Sequence, residues 1–287
     1  MYARPQPMRT QLLFLGVLVA SALPACKDAS KHSVQEAAAH ADAMAKLAEA
    51  DVLEVERGLP EGAKALSPLM ARGDELRGNL DLVKKELQKV RRDVPDLLVA
   101  KSTFFALTDD KGVAIRNNLE QDAMARQDLI ALFPDLAKAR EGKYVTTTGT
   151  FPGPVGPVGP DRDWLAAAPV SRDGKVAGIF LTGWTYRAFA RHLQENLKRD
   201  IADKARREDS KLPIIYVGVF DKTGVYMAPL TPKADEEFLA AEQLVDKTKD
   251  GPKAAAVNIT DRVFGYGAAR VPKLGPDMGV VVLRSEI

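Results

Sequence analysis

Two stretches decide the fold: FFALTDDKGVAIR at residues 104–116 and WLAAAPVSRDGKVAGIFLTGW at residues 164–184. Each consists of an apolar run, a short turn rich in Asp and Gly, and a second apolar run, which is the pattern of a β-hairpin. A stretch with helical segments (residues 119–139) and a β-branched run (residues 144–150) lie between them. Residues 102–184 are therefore predicted to form one module, an antiparallel sheet with helices inserted after its first hairpin.

The second half of the chain repeats this pattern. The turn Asp109-x-x-Gly112-Val113 recurs as Asp221-x-x-Gly224-Val225. Further strands are predicted at residues 213–220, 255–259, 264–271 and 279–283. The repeat predicts a second sheet module at residues 212–287, with fewer helical residues over its sheet, after a connecting helix and charged linker at residues 185–211.

The N-terminus reads as a targeting segment. Arg4 and Arg9 precede an apolar run at residues 12–23 that is too short to span a bilayer, which takes about 20 residues. The run ends in Leu23-Pro24-Ala25-Cys26, which resembles a bacterial lipobox. That resemblance implies a signal peptide at residues 1–25 and a lipid on Cys26, the only cysteine. The alternative is an ordinary cleaved signal with an incidental cysteine.

Residues 26–33 are predicted to form a tether and residues 34–101 a helical segment. Ser33-x-x-Glu36 has the pattern of a capping box, and Gly58-Leu59-Pro60 has that of a helix stop. A second helix is predicted from Ser67-Pro68, with one apolar face formed by Leu69, Leu76, Leu80, Val83, Leu87 and Val90. This face either packs on its own domain or forms a dimerisation or signalling helix.

Composition and motifs exclude several classes of function. The formal charge of +2 includes Arg4 and Arg9, so the mature chain is neutral and no nucleic-acid partner is expected. The histidines, His32, His40 and His192, do not have metal-ligand spacing. Nucleophile-elbow, P-loop and zinc-protease motifs are absent from the sequence. We therefore expect no enzyme activity, no cofactor and no metal.

The module at residues 102–184 resembles the Cache family, the PAS-like extracellular sensors of bacterial chemoreceptors and kinases. The residues that carry the resemblance are Asp109-x-x-Gly112-Val113, Phe133-Pro134, Ala139-Arg140-Glu141-Gly142, Ala168-Pro169-Val170 and Gly174-Lys175-Val176-Ala177-Gly178. The resemblance implies an α+β fold, with an N-terminal helical segment followed by two PAS-like antiparallel-sheet modules, as in double-Cache sensors. It also implies that a small metabolite binds between the first sheet and the helices and loops covering it. The first module would be distal to the membrane, and the second would be mainly structural.

One motif predicts the ligand-binding residues. Arg162-Asp163-Trp164-Leu165 is similar to an Arg-x-Trp-Tyr motif of amino-acid-binding Cache sensors, with Leu165 replacing the tyrosine. Phe180 stands where the family has an aspartate for the ligand amine, so a standard α-amino acid is disfavoured. Arg162 is predicted to receive a carboxylate, with Trp164, Tyr144 and Phe180 completing the ligand-binding set. The alternative is that Arg162 is a solvated loop charge and Trp164 a core aromatic.

Two functions follow as hypotheses. The first is a lipid-anchored, extracytoplasmic protein that binds or senses a small organic ligand. If Arg162 binds this ligand, the ligand is expected to bear a carboxylate. The protein would sit in the cell envelope, at the outer membrane facing the periplasm since Lys27 follows Cys26, and would signal through an envelope partner or a homodimer. Double-Cache sensors normally continue into a transmembrane helix, and no later apolar run here reaches about 18 residues. The alternative is a non-enzymatic structural or interaction lipoprotein that uses a Cache-like scaffold, with a filled interior and an exposed apolar face on residues 68–92.

Overall fold

The structure is a computed structural model that describes residues 23–73, 75–101, 103–152 and 161–286, with the side chains of the first helix from residue 30 onward. Residues 1–22 of the predicted signal peptide and residues 153–160 of the Gly/Pro loop lie outside this description. The helices are α1 (Leu23–Met70), α2 (Glu75–Gly78), α3 (Leu80–Asp93), α4 (Pro95–Val99), α5 (Leu129–Leu132), α6 (Ala137–Arg140), α7 (Tyr186–Glu208), α8 (Lys233–Ala241) and α9 (Leu244–Lys247). Within the described ranges, none of them has the length and apolar composition needed to cross a bilayer.

Ten strands form two five-stranded antiparallel sheets with the same topology. The strands are β1 (Phe104–Thr108), β2 (Ala114–Asn117), β3 (Val145–Gly149), β4 (Asp163–Arg172), β5 (Lys175–Thr185), β6 (Ile214–Asp221), β7 (Gly224–Met227), β8 (Lys253–Ile259), β9 (Arg262–Arg270) and β10 (Gly279–Ser285). The first sheet has the order β2-β1-β5-β4-β3 and the second the order β7-β6-β10-β9-β8. Adding five to each strand number in the first order gives the second order, so the two sheets have the same topology. The predicted α+β fold with two sheet modules is confirmed.

Both faces of the three inner strands of each sheet are largely buried, which explains why these strands have continuous apolar sequences. The edge strand β8 keeps most of its residues exposed or half-buried. In β4, Trp164 and Ala166 face α1, while Leu165 and Ala167 face the inserted loops. In the second sheet, Val280 faces α1 and neighbouring Val281 faces α8 and α9. The period of two therefore divides each module into an α1 face and a loop face.

Helix α1 corrects three predictions about the N-terminal segment. It runs without interruption through the predicted tether and through Gly58-Leu59-Pro60, where the sequence predicted a stop. Tertiary packing outweighs the local cost of the proline, because Leu59 is fully buried and a Cβ at Gly58 would lie 2.9 Å from Leu97. Ser33 is buried inside the helix instead of capping it.

A single helix thus joins the two modules. The α1 backbone at Ser33 and Ala37 lies against Gly265 and Gly267 of β9, where a Cβ would collide with it. Farther along, a Cβ at Gly62 would lie 2.6 Å from Phe180 of the first sheet. The N-terminal part of α1 therefore packs on the second module and its C-terminal part on the first.

The apolar face predicted on residues 68–92 packs on its own domain. Val83, Leu87 and Val90 of α3 are buried in the core that α1 shares with the first sheet. Leu80 at the start of α3 is 38% exposed. The helix therefore packs on its own domain and does not present an exposed dimerisation face. The exposed apolar face that the scaffold hypothesis expected on residues 68–92 is not found among the described residues of that segment.

The segments covering the loop faces differ between the modules. Over the first sheet they are short helical turns, since α5 and α6 have four residues each. Over the second sheet lies α8, a nine-residue helix, followed by α9. The prediction of fewer helical residues over the second sheet was wrong, because the segment Lys233–Lys247 was not recognised as helical.

Candidate functional site

Arg162 lies at the junction of the two modules. Its Nε is 3.1 Å from Asp221 Oδ2 at the end of β6, and its Nη2 donates to Thr148 Oγ1 at 3.1 Å. The contact with Asp221 is an ion pair and not an aligned hydrogen bond, because the Nε–H finds no hydrogen-bond acceptor within the described part of the chain. The side chain keeps 21% of its surface exposed, while Asp221 keeps 6%. Arg162 is therefore a partly buried cation that joins β4 to the second sheet.

Trp164 and Phe180 lie on the α1 face of the first sheet, opposite the loop face where the resemblance places a pocket. Trp164 is fully buried, stacks on Trp184 at 4.3 Å between ring centroids, and donates its indole N–H to the Leu274 carbonyl at 2.9 Å. Phe180 stacks on Phe105 at 5.7 Å. These contacts give both residues a packing role, and their contact with a ligand stays a prediction.

Tyr144 precedes β3 and packs against the same α1-side core. Its hydroxyl is buried without a hydrogen-bond partner among the described residues. Burial raises the pKa of this phenol well above its ordinary value, with a smaller contribution from Glu56. The four predicted ligand-binding residues are thus on one side of the first sheet, and none of the clefts described below contains them.

A buried polar network around Arg162 was not predicted from the sequence. The Tyr186 hydroxyl at the start of α7 donates to Asp221 Oδ2 at 3.0 Å. Burial, then Asp221, raises the pKa of Tyr186, so the phenol stays protonated. Next to it Arg187 forms a bidentate ion pair with Glu236 of α8, at 2.7 and 2.6 Å. The repeated Asp-x-x-Gly turn was the only sequence signal for any of these residues, and it marked Asp221 as a turn residue.

Asp163, the second residue of the predicted motif, ties the two ends of the β3–β4 loop together. Its Oδ2 accepts the Phe151 backbone N–H at 3.0 Å, and the residue is 7% exposed. Burial raises the pKa of this carboxyl to about 6, although the Phe151 N–H favours the charged form. The motif therefore holds one buried acid of perturbed pKa beside the cation at Arg162.

Side chains fill the loop face of the first sheet as far as it is described. Phe133 packs on Phe151 at 4.8 Å between ring centroids, and Phe104 contacts Phe151 edge-on at 6.1 Å. Leu136 and Leu165 complete this cluster and are fully buried.

The second module has an open cleft on its loop face. It measures about 300 Å³ and lies between the β6–β7 turn and the α8–α9 connection. Its lining residues are Phe220, Asp221, Lys222, Thr223, Gly224, Val225, Ala240, Gln243, Leu244, Val245 and Asp246. It therefore combines an apolar floor with charged groups at its rim.

A second cleft, of about 200 Å³, lies where the N-terminal part of α1 meets the last strand. His40 Nε2 lies 2.9 Å from Arg284 Nη1, and since Arg can only donate, His40 must accept and be neutral. Burial lowers the pKa of His40, and Arg284 lowers it further. Glu36 and Glu286 flank Arg284. Across the described ranges, no group of three or more His, Cys, Asp or Glu side chains is placed to hold a metal ion.

A scan against protein-family models and a search of the curated proteins give no match to the sequence. Solved structures do match. The extracellular domain of vpHK1S-Z8, assigned as a histidine kinase, aligns with a TM-score of 0.57 at 9% identity, over 90% of this chain and 93% of that one. Methyl-accepting chemotaxis protein X aligns with a TM-score of 0.54 at 15% identity, over 89% of this chain and 98% of that one.

The chain has the fold of a Cache-type extracellular sensor domain. An extracellular ligand binding receptor from Desulfohalobium retbaense DSM5692 also aligns, with a TM-score of 0.50 and 12% identity over 86% of this chain. The chain spans only 39% of that receptor's length. These neighbours are sensor and receptor domains. At such low identity the likeness establishes the Cache-like fold and leaves the ligand and the residues that bind it open.

Proposed function

We propose that the protein is a lipid-anchored, extracytoplasmic sensor of a small organic molecule and that it signals through an envelope partner. The observation that carries the proposal is the double-module Cache-like fold, with both sheets packed on one continuous helix. A sensor needs its two modules to respond as a unit, and α1 together with the Arg162–Asp221 junction supplies that connection.

Lipid anchoring would orient the molecule. In our proposal the lipid is on Cys26, and α1 packs on the second module from Ser33 onward. The second module would then lie next to the membrane. The first module would lie roughly 40 Å farther out, given a rise of 1.5 Å per helical residue between the contact of Ser33 with Gly265 and that of Gly62 with Phe180.

We place the ligand of the first module beside Arg162. Its guanidinium is the partly exposed cation of the predicted set, and Arg binds carboxylates through paired N–H donors. Asp221 and Thr148 engage Nε and one N–H of Nη2, which leaves Nη1 and the second N–H of Nη2 to meet a carboxylate. Trp164 and Phe180 would act by holding β4 and β5 in place. Tyr144 would take no part in this site, because it precedes Val145, which pairs with Ala167 at the far end of the β3–β4 pairing from Arg162.

The test is a thermal-shift screen of the mature chain carrying Cys26→Ser against small carboxylates, amines, amino acids and nucleobases. A ligand at 100 times its dissociation constant should stabilise the protein by about 2.7 kcal/mol. The Arg162→Lys variant keeps the charge facing Asp221 but loses paired binding, so it should fold and lose the response to carboxylates. A hit that Arg162→Lys leaves unchanged would remove Arg162 from the site.

The filled loop face of the first sheet favours a second candidate function, an interaction lipoprotein whose Cache-like fold is a scaffold. Phe104, Phe133 and Phe151 occupy the described part of the region where the resemblance expects a ligand. This candidate predicts a flat ligand screen on well-folded protein and recovery of one envelope partner after crosslinking in cells.

A further inference from the structure

The internal repeat allows the same place in the two modules to be compared. In the first module, a Cβ at Gly112 of the Asp-x-x-Gly turn would collide with Ile130 of α5. In the second module, the equivalent Gly224 has, among the residues that the structure describes, only Tyr226 within 4 Å of that position, at 3.9 Å. Thus an isoleucine closes this space in the first module, and the second module keeps a cleft of about 300 Å³ there.

We propose that this cleft of the second module is a binding site for a small amphipathic zwitterion, such as an amino acid with an aliphatic side chain. Its volume is at the lower end of the range for small-ligand sites, about 300–1,000 Å³. The site is separate from the first-module site proposed above, and neither depends on the other.

The chemistry of the lining carries the choice of ligand. Val225 and Leu244, which are almost fully buried, and the half-buried Val245 line the cleft with apolar side chains. Lys222 and Asp246 lie at its exposed rim, and neither forms a side-chain hydrogen bond or ion pair within the described part of the chain. A ligand of a single charge would meet one like charge at this rim. A zwitterion can pair its carboxylate with Lys222 and its ammonium with Asp246 while its apolar body covers the floor.

The cleft is also connected to the first module. Asp221 forms part of its wall, and the same carboxylate accepts from the Tyr186 hydroxyl and faces Arg162. A ligand that moves the β6–β7 turn would therefore move the partner of Arg162. Ligand binding to the second module would in this way alter the Arg162–Asp221 contact between the modules without changing the strand pairing of either sheet.

The experiment is a methyl NMR titration of the mature chain carrying Cys26→Ser. The probes are L-leucine, 4-methylpentanoate, which lacks the ammonium group, and 3-methylbutylamine, which lacks the carboxylate. We expect leucine to shift the methyl signals of Val225 and Leu244 saturably with a dissociation constant below about 10 mM. The two analogues should bind about fivefold more weakly or worse, since each loses one exposed ion pair.

Variants separate this site from the rest of the molecule. Lys222→Met and Asp246→Asn should each weaken leucine binding about fivefold, and Val245→Phe should abolish it by filling the cleft as Ile130 does in the first module. Lys111→Met changes an exposed lysine in the corresponding turn of the first module and should leave binding unchanged.

Three results would overturn the proposal. One is the absence of saturable shifts at Val225 and Leu244 with all three probes, and another is an equal response to all three. The third is saturable shifts confined to first-module signals beside Arg162, such as the methyl group of Thr148, which would support the first-module site while refuting the second. If the first-module signals do not respond and the shifts at Leu244 remain, the second-module site is supported and the first-module site is refuted.

Discussion

Replacing Asp163 with asparagine should stabilise the protein at neutral pH. The carboxyl is 7% exposed, and its pKa is raised from an ordinary value of 3.8 to about 6, chiefly by burial. That difference corresponds to about 3 kcal/mol, at about 1.4 kcal/mol per unit of pKa. The asparagine side chain would keep an oxygen able to accept the Phe151 N–H, so the loop closure survives while the cost of the buried charge disappears.

The sign of the effect depends on pH. Below about pH 3 the carboxyl is protonated in both the folded and the unfolded chain, so it makes no contribution. As pH rises from about 3 to 6 the unfolded chain ionises first, and the folded protein loses stability until both states are charged. Asp163→Asn should therefore gain up to about 3 kcal/mol in free energy of unfolding at pH 7.5 but only about 0.5 kcal/mol at pH 4.

Urea denaturation at the two pH values measures this difference, followed by the fluorescence of the two tryptophans. Asp110→Asn in the exposed first turn is the matched control and should stay within about 0.5 kcal/mol of the unmodified chain. A loss of stability in Asp163→Asn at pH 7.5, or a gain that is equal at both pH values, would refute the reasoning. A loss would mean that the Phe151 N–H and Arg162 more than offset the burial of the charge, and an equal gain would mean that the effect does not come from ionisation of Asp163.

Three further predictions address α1 and its surroundings. The pKa of His40 is lowered in the folded state, so its contribution to the stability of the folded protein is greatest above pH 6.5, where His40 is neutral, and is lost as pH falls. In His40→Gln the side chain can still accept a hydrogen bond from Arg284 but does not titrate. The variant should therefore lose less melting temperature than the unmodified chain between pH 7 and pH 5. Gly267→Ala should cost about 1–3 kcal/mol of unfolding free energy by forcing α1 off β9. Gly78→Ala, whose new Cβ would meet no described residue within 4 Å, should cost nothing measurable in the same urea titration. Cys26→Ser should abolish incorporation of labelled palmitate and release the protein from the membrane fraction; palmitate on the variant would place the lipid elsewhere.

The sequence was sufficient to predict the two sheets, because their strands carry signals that do not depend on distant contacts. Apolar runs bounded by Asp-Gly turns at Asp109 and Asp221 fixed the hairpins, and the repeat predicted a shared topology that the strand orders confirm. The continuity of α1 was beyond such reasoning. Gly58 and Pro60 are local helix breakers, and what keeps the helix intact is the close packing of Gly58 and Gly62 against Leu97, a partner that follows more than thirty residues later in the sequence.

The predicted ligand-binding residues show a second limit of sequence reasoning. Arg162 and Trp164 are two residues apart on one strand, so they share a face, and the sequence could establish that. The sequence could not establish which face of the sheet packs on α1 and which packs on the inserted loops, because both faces of β4 are apolar. The structure puts Trp164 against Trp184 and Leu274, deep in the core shared with α1.

The comparison of the modules suggests how a repeat can divide its roles. In the first module, Ile130 and the phenylalanines at positions 133 and 151 fill the described loop face, which stiffens the module that would lie farther from the membrane. In the second, the space beside Gly224 is open and its wall carries Asp221, the residue that meets Arg162. A ligand on either side of the Arg162–Asp221 pair would act on the same ion pair. Signals from the two modules would therefore converge at this junction and share α1 as their route toward the anchor.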